Sequence, residues 1–392
     1  MRPPLSLICC HRHRPVILAR RFVVQQRKHQ GCSGSSLFLK YSPSSFFSSS
    51  SFQNYPQQDD DQNNAKRSRS IKSLLPTNKD VLDATTRSMG QVIFLNSTKS
   101  GAAILASLAI GDPTLAVYAG IGAYTATITA QSIGLNPQSC RDGLFGYNGA
   151  LIGCGMSVFG PSFLPVGVAY TMMGSSATSV LCASLNKSLS QPQWTWSFNV
   201  VMLTSLLRMK PLETVAEITT LPDAAAASAA ATSLSSSVSV TDFVASPLIG
   251  ISQIFVVDSA LTGVGIIASI GMYSPKLGVH ALAGSTLGCL VGLLVGANPS
   301  DVIHGLWGYN SALASMAVGT FFVHSREAIA LSAGSAVASA ALFGALQPVF
   351  GGLGAPCLTL PFCAVTSACY LLDGQITGLT LAKDPHSPEK NA

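Results

Sequence analysis

The stretch LFGYNGAL at Leu144–Leu151 is written again as LWGYNSAL at Leu306–Leu313. Each copy sets a Tyr and an Asn inside an apolar run: Tyr147 and Asn148, then Tyr309 and Asn310. Two more polar pairs recur, Gln91 with Gln253 and Thr195 with Thr359. All of these residues are neutral, and most accept hydrogen bonds through oxygen. That chemistry suits an uncharged, donor-rich solute. It does not suit proton relay or ion coordination, because no His, Lys or Arg is paired between the copies. Asp142, Asp258 and Asp301 sit at predicted segment ends, where helix capping or interfacial exposure explains them. No Cys/His group has zinc-like spacing, and the ten cysteines are read as packing residues. Neither a metal, a cofactor nor a catalytic cluster is expected, so the chain is not read as an enzyme.

The pairs share one spacing. Leu144 and Leu306 lie 306 − 144 = 162 residues apart, and Gln91 and Gln253 lie 253 − 91 = 162 apart. GQVIFLNSTKSG (Gly90–Gly101) thereby aligns with SQIFVVDSALTG (Ser252–Gly263). PQWTWSFN from Pro192 and PCLTLPFC from Pro356 follow at 356 − 192 = 164. Three such pairs in one order mark an internal duplication.

The elements that position these residues are apolar. Of 392 residues 48% are hydrophobic and only 10% charged, against about a quarter charged in ordinary soluble domains. Apolar windows of about 20 residues can cross a bilayer as helices. About five fall between Met89 and Arg208 and about five more between Pro247 and Leu381, which predicts a multi-pass membrane protein. With an odd number of spans per copy, the second enters the membrane inverted, a plan that sets a functional site where the copies meet. Residues 1–80 are basic and Ser-rich, without an acidic residue before Asp59, and read equally as an organelle transit segment or a disordered cytoplasmic tail. The repeats are expected over 88–211 and 248–382, around an Ala/Ser-rich linker at 212–247, with a short tail at 383–392. The net charge of +6 sits mainly in the N-terminal tail, so nucleic acid is not expected as a partner.

Within the copies, Asn148 and Asn310 are expected to satisfy backbone groups at broken helices rather than to touch solute. Gly146, Gly149 and Gly308 permit the break or close helix packing. Phe94 and Val256 lie three residues after the glutamines, and Phe198 and Phe362 three after the threonines, on roughly the same helix faces.

LFGYNGALIG and LWGYNSALASMAVGTFF resemble the signature segments of the urea transporter family. GQVIFLN and SQIFVVDSALTG resemble the openings of its two repeats, and PQWTWSFN and APCLTLPFC resemble its LPxxTxPF motif. The likeness spans Met89 to Leu381. It implies an all-α fold with about ten transmembrane helices plus re-entrant pore helices in two inverted repeats, assembled as a homotrimer with one pore per protomer. It further implies passive, channel-type passage of urea through a narrow slot, most often at the plasma membrane; the transit-like N terminus keeps an organelle membrane open. Carried over by position, Gln91 and Gln253 offer carbonyl oxygens to urea, while Phe94, Val256, Leu144 and Leu306 form walls and Phe198 and Phe362 are the motif aromatics. Small hydroxyl residues near the pore centre fall on Ser339 and on Ala177, with Thr178 adjacent. The first LPxxTxPF copy has Gln191 and Ser197 in place of Leu and the second Pro, and the second copy has Ala355 in place of Leu. Ala177 leaves open a pore for another small neutral solute, such as ammonia, an amide or water.

Overall fold

The computed structural model describes residues 78–217 and 240–391. The N-terminal tail up to residue 77 and linker residues 218–239 lie outside the described residues. The described chain is helical, with one isolated antiparallel bridge between Phe322 and Leu381. The first half holds α1 (Asn78–Gln91), α2 (Thr98–Gly111), α3 (Pro113–Ser132), α4 (Pro137–Arg141), α5 (Tyr147–Phe159), α6 (Leu164–Ser188) and α7 (Trp196–Glu217). The second holds α8 (Val240–Ser252) with a 3-10 turn at Gln253–Phe255, then α9 (Ala260–Tyr273), α10 (Pro275–Leu294), α11 (Pro299–Ile303), α12 (Tyr309–Phe321), α13 (Arg326–Gly352) and α14 (Leu360–Tyr370). α7 and α8 therefore extend into both ends of the stretch read as linker.

Helix starts recur at the spacing of the sequence pairs: 98 and 260, 113 and 275, 137 and 299, 147 and 309. Local caps explain this. Ser97 and Ser259 accept from Ser100 N and Thr262 N, and Asp112 and Ser274 accept from Leu115 N and Leu277 N. Pro113 and Pro275 then open α3 and α10 at a position where no backbone N–H is needed. Each half also crosses its first two helices at a glycine. A Cβ on Gly101 would lie 1.9 Å from Thr86 O, and one on Gly263 would lie 2.0 Å from Leu248 O.

About ten spans were expected, and by length and composition fewer single helices reach that size. Among the described residues α6, α10 and α13 are long and apolar enough to cross a membrane, and α8 with α9 makes a fourth candidate, bent by 77°. The windows counted as spans run through breaks. α2 has 14 residues, and α5 and α12 have 13 each, short of the roughly 20 that a bilayer core requires. The outer face is nonetheless greasy, with Ile110, Val117, Met173, Leu261, Val279 and Leu294 all exposed.

The halves meet along α2 and α9. The end of α2 lies against the start of α9, since a Cβ on Gly111 would be 2.2 Å from Thr262 Oγ1 and one on Gly265 would be 2.3 Å from Ser107 Oγ. At the opposite end Tyr273 hydrogen-bonds the backbone of Asn96. The two equivalent helices thus run antiparallel.

The C-terminal segment folds back on the second half. Glu389 accepts from Ser274 Oγ at 2.5 Å and Lys276 N at 2.7 Å, and Asn391 Nδ2 donates to Thr320 O at 2.6 Å. Partial burial works to raise the Glu389 carboxyl, but the hydrogen bonds to Ser274 and Lys276 outweigh it and hold the group below its ordinary value. A depressed carboxyl contributes stability above the unfolded value of 4.5, and that stability is lost as pH falls through the folded value. Protection of the amides of residues 386–391, taken relative to their intrinsic exchange at each pH, is therefore expected to fall below pH 4.5, and Glu389→Gln to show the same loss already at pH 7.

Candidate functional site

Both glutamines end a helix in the same way. Gln91 Nε2 donates to Asp142 O at 2.8 Å, and Gln253 Nε2 donates to His304 O at 3.0 Å. Asp142 and His304 are themselves one repeat apart (304 − 142 = 162). Each side chain is half-buried. The amide donor is committed to the backbone, and Oε1 makes no hydrogen bond among the described residues. What remains is an oriented acceptor.

Phe94 and Val256 follow in left-handed backbone, at φ 67° and 61°. Leu95 N donates to Gly90 O and Phe94 N to Gln91 O; Val257 N donates to Ser252 O and Val256 N to Gln253 O. This closes a helix C-terminus at a position usually given to glycine. A β-branched residue there is an outlier, and the conformation costs about 1–2 kcal/mol. Trp194 and Leu358, paired across the third motif, are left-handed as well, at φ 48° and 50°. Glycine would remove the strain, so side chains held there are candidates for a role beyond folding.

Phe94 meets Phe321 edge-on at 5.8 Å and Phe362 at 6.3 Å, and Trp194 packs on both at 5.0 and 6.1 Å. The structure thus brings two expected residues together with two that sequence reasoning missed. Trp194 carried a signal, since it occupies the position of Leu358 in a motif copy already singled out. Phe321 lies in the second signature segment but, as the last residue of an apolar helix, carried no signal of its own.

Thr195 and Thr359 touch, Oγ1 to Oγ1, at 2.7 Å. Asn199 Nδ2 donates to Thr359 Oγ1 and to Thr195 O, both at 2.9 Å, while its Oδ1 accepts from Thr359 N at 3.1 Å. Cys363 Sγ lies 3.0 Å from Thr195 Oγ1. Asn199 and Cys363 share the 164-residue step (363 − 199), so the two motif copies join in a buried polar knot.

The signature asparagines serve backbone. Asn148 Oδ1 accepts from Phe198 N at 3.3 Å, and Asn310 Oδ1 accepts from Phe362 N at 3.2 Å, capping α7 and α14. Tyr147 and Tyr309 donate their hydroxyls to Trp194 O and Leu358 O. Asn310 Nδ2 also donates to Leu358 O at 3.1 Å, whereas Asn148 Nδ2 is buried without a partner. Asn310→Ala is therefore expected to destabilise the fold by about 1 kcal/mol more than Asn148→Ala, the net value of one hydrogen bond. Thermal melts of the two variants check this. Gly146 and Gly308 are needed for close packing rather than for a left-handed turn, their missing Cβ atoms facing Ser88 and Ser285; the left-handed glycine three residues before each is Gly143 or Gly305.

Phe198 and Phe362 are almost wholly buried, while Leu144 and Leu306 are half-buried like Phe94 and Val256. Thr178 and Ser339 are both fully buried and Ala177 is exposed. The inward positions of α6 and α13 thus correspond at 339 − 178 = 161, so Thr178 turns inward in place of Ala177. Thr178 Oγ1 donates to Ser175 O at 2.7 Å, and Ser339 Oγ is buried without a partner. No described contact joins these two hydroxyls to the glutamines or to the aromatic cluster. A cavity of about 460 Å³ between α6, α7 and the α13–α14 loop is lined by Phe159, Tyr170, Leu206 and Pro356, away from the paired polar residues.

Residues 82–374 match the family model described as urea transporter. The chain is similar to Urea transporter 1 of Rattus norvegicus, 28% identical over 334 residues that cover 79% of this chain and 82% of the relative. It is similar also to Urea transporter 1 of Ovis aries, 29% identical over 308 residues covering 74% and 77%. The Mus musculus protein of that name is 29% identical over 328 residues covering 79% and 82%.

Proposed function

The chain belongs to the urea transporter family, and from that premise we propose that it passes urea down its gradient through a narrow slot between its two halves. The family is one of transport proteins, so the chain is not an enzyme, and with its apolar helices it is an integral, multi-pass membrane protein. One observation carries the reading: two glutamines, one per half, each tied by nitrogen to a backbone carbonyl and left with a free, oriented oxygen.

Urea is flat and neutral, with four N–H donors and one carbonyl. Stripping its water without replacement costs several kcal/mol. Gln91 and Gln253 replace part of that shell at the two entrances, and the buried hydroxyls of Thr178 and Ser339 are the central acceptors. Phe94, Val256, Leu144 and Leu306 are the walls, and Phe198 and Phe362 hold them from behind. A slot between such faces admits a planar molecule by shape. Between the two entrances an ion finds no compensating charge, and its dehydration is far costlier. Without coupling residues, passage is downhill in either direction.

The antiparallel pairing of α2 with α9 supports an inverted arrangement of the repeats at 88–211 and 248–382. Exposed apolar side chains such as Met173 and Val279 fit burial by lipid and by neighbouring protomers of a homotrimer in the plasma membrane. Uptake of labelled urea into proteoliposomes tests the proposal. Uptake is expected to be rapid, unsaturated at high urea and to need no imposed sodium or proton gradient. Uptake equal to that of empty liposomes, or uptake that requires a gradient, overturns it. Passage of ammonia or water but not urea would assign the slot to another neutral solute.

A further inference from the structure

The two entrances are built on one plan with different chemistry. At the first, Asn96 Nδ2 donates to Asp142 Oδ1 at 3.2 Å, and Gln138 Nε2 donates to Asp142 Oδ2 at 3.0 Å. Arg87 Nη1 donates to Asn96 Oδ1 at 2.9 Å, and Arg87 itself is paired with Asp83 at 2.6 Å. The equivalents of Asn96 and Asp142 are Asp258 and His304, and these also touch, His304 Nδ1 to Asp258 Oδ2. An amide–carboxylate pair in one half has become a carboxylate–imidazole pair in the other. In both halves the backbone carbonyl of the second partner, Asp142 or His304, holds the glutamine amide.

Resting on the transport reading above, we infer that Asp258 and His304 are positioning residues for Gln253 and make the second entrance sensitive to pH. His304 caps the C-terminus of α11 with its N–H bound to Ser300 O and Val302 O, so its side chain and its carbonyl leave one anchored Cα. A protonated imidazole binds the carboxylate through a charge-assisted bond, roughly twice as strong as a neutral one, and fixes the carbonyl that orients Gln253. A neutral imidazole holds it less firmly. Imidazole is the side chain whose charge ordinarily changes between pH 5 and 8, and the first entrance holds none in its network.

Few other charges compete. The helices packed on α11 are α8, α10 and, through Gln347, α13. Their ionisable side chains are Asp242 at the far start of α8, Lys276 and His280 at the far start of α10, and Arg326 and Glu327 at the far start of α13. On α11 itself Asp301 accepts from Gln347 Nε2 at 2.9 Å. Asp258 is thus the charged group in contact with the imidazole. The pair is about half exposed, with side chains at 51% and 45%. The expected effect is therefore modest, about threefold, the scale of a partly screened ion pair.

Urea uptake by full-length protein in proteoliposomes, followed from pH 5 to pH 8, tests this. Wild-type uptake is expected to fall about threefold as pH rises, and 1 M sodium chloride to flatten the profile by screening. His304→Gln should give a flat profile at the wild-type pH 8 level. The exchange Asp258→Asn with His304→Asp installs the pair of the first entrance, and should be flat with uptake restored to the pH 5 level. A single variant and an exchange that both keep the wild-type pH profile overturn the inference, as does a flat wild-type profile. If the exchange fails to fold by circular dichroism, His304→Gln decides alone. Absence of urea uptake at every pH would overturn the transport reading itself, a result distinct from uptake that ignores pH.

Discussion

Urea uptake is expected to fall at least about tenfold in Gln91→Leu and again in Gln253→Leu, with the double variant near the background of empty liposomes. The magnitude follows from what leucine removes. A polar group that enters a dry passage without its hydrogen bond costs about 1–3 kcal/mol, and every 1.4 kcal/mol on a barrier is tenfold in rate. Leucine keeps nearly the volume of glutamine, so the slot is not widened. Both positions are half-buried at helix ends, so the melting temperature should move little. Gln91→Glu separates the acceptor from the anchor. It keeps an oxygen toward the slot but sets a carboxylate against Asp142 O, which now accepts the Gln91 amide at 2.8 Å. Uptake intermediate between wild type and Gln91→Leu is expected. Uptake within about twofold of wild type in both leucine variants, measured at equal protein density, would remove the glutamines from the path.

Asn199→Leu should be the most damaging single change to the fold. The side chain serves Thr359 twice and Thr195 O once, within a wholly buried junction of the two halves. Leucine leaves Thr359 N–H without its partner, and each buried group so stranded costs about 1–3 kcal/mol. A loss of about 2–4 kcal/mol is expected, read as a shift in unfolding by detergent titration, with urea uptake falling alongside because both motif copies lose their register. Thr195→Val and Thr359→Val test the knot from the other side. Their Oγ1 atoms are 2.7 Å apart, so a double-mutant cycle should return a coupling of about 1 kcal/mol. Strict additivity would show that the two halves are not joined through these hydroxyls.

The sequence by itself determined the duplication and its register. Helix starts obey local chemistry, and side-chain caps stand at the same offset: Ser97 with Ser259, Asp112 with Ser274, Asn136 with Asn298. The paired polar residues were legible for the same reason, since an amide in an apolar run is conspicuous whatever it touches. The structural role of Asn148 and Asn310 followed from the scarcity of backbone partners in such a run, and both do cap a neighbouring helix.

Where the helices break inside the apolar windows was not legible. Hydropathy averages over a window and cannot see the left-handed residues Phe94 and Val256, which end helices inside it. Which residue of α6 faces inward was ambiguous between Ala177 and Thr178 because a helix rotated by one residue leaves the sequence unchanged; packing buries Thr178 and leaves Ala177 exposed. Nor do residues 51 apart in sequence announce that a glutamine amide meets the carbonyl of Asp142 or His304. Spacing and capping act along the chain, so they can be read from it. Which face of a helix is covered, and which carbonyl an amide finds, is settled only when distant segments exclude solvent from each other, and so belongs to the tertiary structure.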